Sequence, residues 1–187
     1  MKKLNLWFCY LLLSYFTILT SSCSKNNGDN SNIIIDNGKI ALGFDKNNGS
    51  LSVFRDIQNS HDWFDAASVT GSPWEIEFTK DGVSELIDFS SAAKFRFSKP
   101  DPATIILKWK KFKVPGISRL EVEAKVSLDK DKALSYWDIS VRNYEGKLLK
   151  QVLYPRIAGL KEGGIEYLAV PQWMGQIMKD PRKNLAA

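Results

Sequence analysis

From Ile33 onward the apolar residues recur at every second position. Leu120, Val122, Ala124, Val126 and Leu128 alternate with Glu121, Glu123, Lys125 and Ser127. In an extended chain that spacing puts every apolar group on one face and every polar group on the other. Ile105, Leu107 and Trp109 repeat the pattern against Thr104, Lys108 and Lys110, and Trp137, Ile139 and Val141 repeat it against Asp138, Ser140 and Arg142. Shorter runs of the same kind stand at Trp74 to Phe78 and at Phe95 to Phe97. Turn formers separate them: Asp36-Asn37-Gly38, Asn47-Asn48-Gly49, Lys80-Asp81-Gly82, Pro100-Asp101-Pro102, Pro115-Gly116, Asp129 to Lys132 and Glu145-Gly146. Half-buried strands broken by such turns predict an all-β antiparallel sandwich or barrel over residues 33–187. A helical period of convincing length is not found, save for a turn or two near Trp63 to Ser68.

The first 22 residues follow another rule. Met1-Lys2-Lys3 is basic, and Leu4 to Leu19 is almost wholly apolar but interrupted by Asn5, Ser14 and Thr17. A spanning helix needs about 20 apolar residues, so the stretch reads as a signal peptide that ends in the small residues Thr20-Ser21-Ser22. Leu19-Thr20-Ser21-Ser22-Cys23 resembles a bacterial lipobox, in which the cysteine is lipidated and becomes the new N-terminus. Thr20 stands where leucine is usual. An ordinary secretory signal or an uncleaved anchor are the competing readings. On the lipobox reading, residues 1–22 are the lipoprotein signal peptide, Cys23 carries the lipid, and residues 23–32 are a polar tether without an apolar side chain after the cysteine. The expected address is the outer membrane of a Gram-negative bacterium, on its surface or periplasmic face.

Processing changes what composition implies. Cys9 leaves with the signal and Cys23 is blocked, so no disulfide forms within the mature chain, and the fold rests on its core. Loss of 22 residues from 187 leaves 165, enough to bury about 70% of the chain's surface. Lys2 and Lys3 also leave, so 24 basic and 21 acidic residues remain, a net charge of +3. That is too mild to imply a nucleic-acid partner. Lys108 to Lys113 interleaves cations with Trp109 and Phe112 as a single-strand binder does, but strand alternation accounts for it more simply.

Candidate chemistry is sparse. His61 is the sole histidine, which rules out a histidine-pair metal site, and nothing in the chain calls for a cofactor. It lies in Asn59-Ser60-His61-Asp62-Trp63-Phe64-Asp65, a polar and aromatic loop that either lines a sugar subsite or packs on the sandwich. Glycosidase work needs two carboxylates about 5 to 10 Å apart, and Asp62 and Asp65 qualify only by their nearness in sequence. Asp45-Lys46-Asn47-Asn48-Gly49-Ser50, with Asp56 at the twelfth place, has the outline of a calcium loop. Its glycine is one place early and no glutamate closes it; a hairpin with Gly49 left-handed explains the stretch. Five tryptophans survive processing. Trp74, Trp109 and Trp137 fall on apolar strand faces and are expected in the core, whereas Trp63 and Trp173 lie in loop contexts and remain candidates for stacking on sugar rings.

Several stretches together carry a family resemblance. Leu42-Gly43-Phe44-Asp45-Lys46-Asn47-Asn48-Gly49-Ser50-Leu51 is followed by the Trp-x-Ile-x-Phe strand at Trp74. Trp137 to Asn143, Val152 to Leu160, Tyr167 to Pro171 and Gly175 to Pro181 complete the series. The series resembles the galactose-mutarotase-like β-sandwich found at the N-terminus of many bacterial glycosidases, over most of residues 33 to 181. The resemblance implies a carbohydrate-active lipoprotein whose supersandwich packs against a following catalytic barrel and walls its sugar cleft. No catalytic residue can be carried over, because the sequence ends before the region where that family's acids lie, and a partial sandwich with exposed sheet edges is expected.

Three functions follow as expectations. In the first, the chain is the non-catalytic part of a glycoside hydrolase-type lipoprotein, with Trp63, Trp173, His61 and Asp62 touching an oligosaccharide or polysaccharide. Its partners would then be that glycan, the membrane through the lipid, and a catalytic barrel or other glycan-uptake proteins. In the second, it is a complete glycan-binding lipoprotein without chemistry of its own. An epimerase of free sugars ranks last, since it needs an acid-base pair within the sandwich.

Overall fold

The computed structural model describes residues 31–64, 71–144, 146–170 and 175–184. Thirteen strands stand there: β1 (Asn32–Asp36), β2 (Ile40–Asp45), β3 (Leu51–Asp56), β4 (His61–Asp62), β5 (Glu75–Lys80), β6 (Val83–Asp88), β7 (Ala92–Asp101), β8 (Thr104–Phe112), β9 (Glu121–Leu128), β10 (Ser135–Arg142), β11 (Leu148–Leu153), β12 (Tyr167–Val170) and β13 (Gln176–Lys179). A 3-10 turn at Phe89–Ser91 and a single helical turn, α1 (Pro181–Asn184), complete them. Every strand pairing is antiparallel. The strand orders are β1-β2-β3-β4, β10-β9-β8-β7, β11-β5-β6 and β12-β13. The fold is therefore an all-β sandwich of antiparallel sheets, and no closed barrel forms among the described residues.

One apolar core joins the first three of these sheets. The alternating runs supply it as their spacing requires: Ile105, Leu107 and Trp109 from β8, Val122, Ala124, Val126 and Leu128 from β9, and Ile76 and Phe78 from β5 are all buried. Full burial of such a side chain is worth about 1.5 to 3 kcal/mol relative to exposure. Aromatic contacts cross between layers, Phe44 of β2 lying 5.9 Å from Trp137 of β10, and Trp74, just before β5, lying edge-on 5.6 Å from Trp109. Trp74 and Trp109 are core residues, as expected. Trp137 is only half-buried, because β10 is the outer strand of its sheet, and its indole N–H donates to Ser135 Oγ at 2.8 Å. Phe97 also departs from the alternation: it is an exposed residue on β7, the opposite edge of that sheet.

Strand β2 departs from the half-wet rule in the other direction. Ile40 to Phe44 are all buried. On the outer side Ile34 of β1 and Val53 of β3 close over Gly43 so tightly that a Cβ there would lie 2.6 and 2.7 Å from them. Ser52 is the extra residue of a bulge between β2 and β3, and its hydroxyl donates to Gly43 O and Asn32 Oδ1. The ladder thus takes in Asn32, and Ser31 O accepts from the Lys46 amide. The last residues of the polar stretch 23–32 belong to the sheet. Asp45 folds the β2–β3 turn by accepting from the Asn47 and Asn48 amides, and Gly49 follows at φ 80°.

Candidate functional site

Of the residues singled out for sugar contact, His61 and Asp62 form β4, and Trp63 follows directly. This two-residue strand is held at the sheet edge by pairing Asp56 with His61 and Arg55 with Asp62. The Trp63 amide donates to Phe54 O at 2.8 Å, so the chain beyond β4 stays pinned to β3. The His61 and Trp63 rings meet edge to face, centroids 4.2 Å apart at 68°. Trp63 is half-buried. Trp173 and Cys23 lie outside the described residues, as do Asp65 and all but the first two residues of the expected helical turn at Trp63 to Ser68. Trp63 and Phe64 themselves are not helical: Phe64 bridges to Leu160 instead.

The far wall of the site comes from the segment after residue 160, nearly a hundred residues away in sequence. The Lys161 amide donates to Trp63 O at 2.8 Å. Gly163 lies against the indole so closely that a Cβ would stand 2.8 Å from Trp63 Cζ3. Glu166 fixes this segment, one oxygen accepting from the Gly163 amide at 3.1 Å and the other from Arg182 Nε at 2.6 Å. Arg182 also donates to the carbonyls of Leu160 and Lys161. The Arg182 guanidinium first, and the Gly163 amide second, hold Glu166 below the usual carboxylate range. No signal in the sequence joins Gly163, Glu166 and Arg182 to Trp63; only the folded chain does.

Chemically the cluster is suited to holding a ligand. Asp62 spends one oxygen on the Phe64 amide at 3.1 Å and the other on Arg55 at 3.4 Å, the bonding of a turn-setting carboxylate. Among the described residues His61 Nε2 is buried without a hydrogen-bond partner, a state that calls for an internal water or another polar group at its side. A half-exposed indole can stack on the face of a polyol ring and donate its N–H to a hydroxyl. Among the described residues no group of three or more histidine, cysteine, aspartate or glutamate side chains could hold a metal ion. The sequence matches no family model and no curated protein.

Proposed function

We propose that this chain is the non-catalytic β-sandwich part of a lipid-anchored, carbohydrate-active protein, of the galactose-mutarotase-like kind, which contacts glycan and docks a catalytic barrel. The observation that carries the reading is the Trp63 cluster: an indole held half-open between His61 and Gly163 at a sheet edge. Large apolar side chains left exposed on β6, β11 and β13, Val83, Leu86, Leu148 and Ile177 among them, are consistent with a further protein layer against those strands. The anchor rests on Leu19 to Cys23 and places the protein at the outer membrane of a Gram-negative cell.

The test is calorimetric titration of the full chain, in a neutral detergent, against a panel of uncharged plant and host oligosaccharides. Binding should appear, and Trp63→Ala should weaken it by about 1 to 3 kcal/mol, the scale of a lost stacking contact. Trp173→Ala reports separately on the second candidate. A folded chain that binds no glycan overturns the reading. Labelled palmitate fed to a bacterial host should appear on the protein and vanish with Cys23→Ala; absence of label from the native chain removes the anchor.

A further inference from the structure

The outer face of the β10-β9-β8-β7 sheet carries its charges in rows. The register sets Lys94, Lys110, Glu121 and Arg142 side by side, and in the next row Arg96, Lys108, Glu123 and Ser140. Same-face neighbours along a strand lie about 7 Å apart, and directly opposed residues about 5 Å. Both glutamates stand on β9 and are engaged there: Lys108 Nζ is 2.7 Å from Glu123, Lys110 Nζ 2.6 Å from Glu121, and Arg142 3.7 Å from Glu123. The Lys94 and Arg96 side chains make no ion pair or hydrogen bond among the described residues. These two and Lys108 and Lys110 line a hollow of about 350 Å³.

Two like-charged pairs, Lys94 with Lys110 and Arg96 with Lys108, face each other directly across the ladder, an arrangement that destabilises a sheet. Charge on an edge strand is useful in itself, because it deters pairing with another chain. Acidic residues at 94 and 96 would give that protection and also pair with the β8 lysines. Cations there incur repulsion instead, and an anion in the hollow would relieve it. We infer that this face binds an anionic polysaccharide, its carboxylate or sulfate groups seated among Lys94, Arg96, Lys108 and Lys110. Arg96 offers a bidentate fork to such a group and the lysines offer point charges. The aromatics interleaved with the basic residues of β8 do not offer bases a platform, since Trp109 and Phe112 are 1% and 4% exposed and turned to the core. That the polyanion is a polysaccharide rests on the function proposed above; the preference for anions rests on the four side chains.

Binding of the full chain to dextran sulfate, polygalacturonate, uncharged dextran and single-stranded DNA, at about 50 and about 300 mM salt, tests this. One or both charged polysaccharides should bind, uncharged dextran should not, and the affinity should fall with salt. Lys94→Glu with Arg96→Glu should weaken binding about tenfold or more and flatten the salt dependence, since two anion contacts are lost. Lys130→Glu with Lys132→Glu makes the same change in net charge on the β9–β10 turn and should alter it less than about twofold. The milder Arg96→Gln, expected to weaken binding about threefold, serves should the double variant not fold. No polyanion binding by the native chain, an equal loss in both double variants, or tighter binding to DNA than to either polysaccharide would overturn the inference. Binding of dextran sulfate through Lys94 and Arg96, unaffected by Trp63→Ala, with no uncharged glycan bound, would sustain it while the Trp63 subsite fell.

Discussion

Gly49 and Gly38 are both turn glycines with positive φ, 80° and 76°, and the sequence presents them alike. Their surroundings differ. A Cβ on Gly49 would stand 2.8 Å from ring atoms of both Phe95 and Trp109, whereas a Cβ on Gly38 would meet nothing within 4 Å. Trp109 cannot retreat easily, since its indole N–H donates to Asn48 O at 2.9 Å and its ring packs on Trp74 and Phe95. Gly38→Ala should therefore cost about 1 kcal/mol, the strain of a left-handed residue. Gly49→Ala should cost about 3 kcal/mol or more, because a steric clash with core rings is added. Urea unfolding of the two variants measures the difference. That Gly49 belongs to a hairpin was legible from Asp45-Lys46-Asn47-Asn48-Gly49; that the hairpin packs on β8 was not, because the contact spans sixty residues.

At the level of elements, the alternation of β8 and β9 was legible almost residue for residue, since a two-residue period on a half-buried sheet leaves no other register for the apolar face. The polar face was legible only as polar. Which cation meets which acid depends on the pairing of strands, and here that pairing sets Lys108 opposite Glu123. The hydrogen bond from Lys108 is the foremost cause holding the Glu123 carboxyl below its ordinary value of 4.5, with Arg142 and Lys110 adding to it and burial opposing it. A carboxylate whose pKa is lowered by folding contributes stability that is complete above the unfolded value and fades as pH falls through the folded one. Glu123→Gln should accordingly lose no more than about 1 kcal/mol at neutral pH, as befits a partly exposed pair. The gap to the native chain should narrow as pH falls below the ordinary glutamate value and through the lower folded one, a trend that denaturant midpoints followed across pH would reveal.

Over the whole molecule, single side chains tie distant turns together. Asn37 accepts from the Lys39 and Ile40 amides through Oδ1, and through Nδ2 donates to Asp129 O at 2.6 Å and Lys132 O at 2.9 Å. It joins the β1–β2 turn to the β9–β10 turn, whose shape Asp129 sets by accepting from the Asp131 and Lys132 amides. Asn37→Ala should cost about 2 to 3 kcal/mol, since several partly buried hydrogen bonds are lost together. Asn37→Asp keeps the acceptor and loses the donor, so its cost in thermal unfolding should fall between those of Asn37→Ala and the native chain. By itself the sequence determined the all-β character, the positions of most turns and the inward face of the main strands, because period and turn chemistry are properties of neighbours along the chain. Only the tertiary structure decided that Asn37 is a clamp, that Gly163 walls Trp63 while Glu166 and Arg182 fix its segment, and that Lys94 and Arg96 join Lys108 and Lys110 in one cationic hollow. Those arrangements depend on which strands lie side by side, and strand pairing is set by the packing of the shared core rather than by the local order of residues.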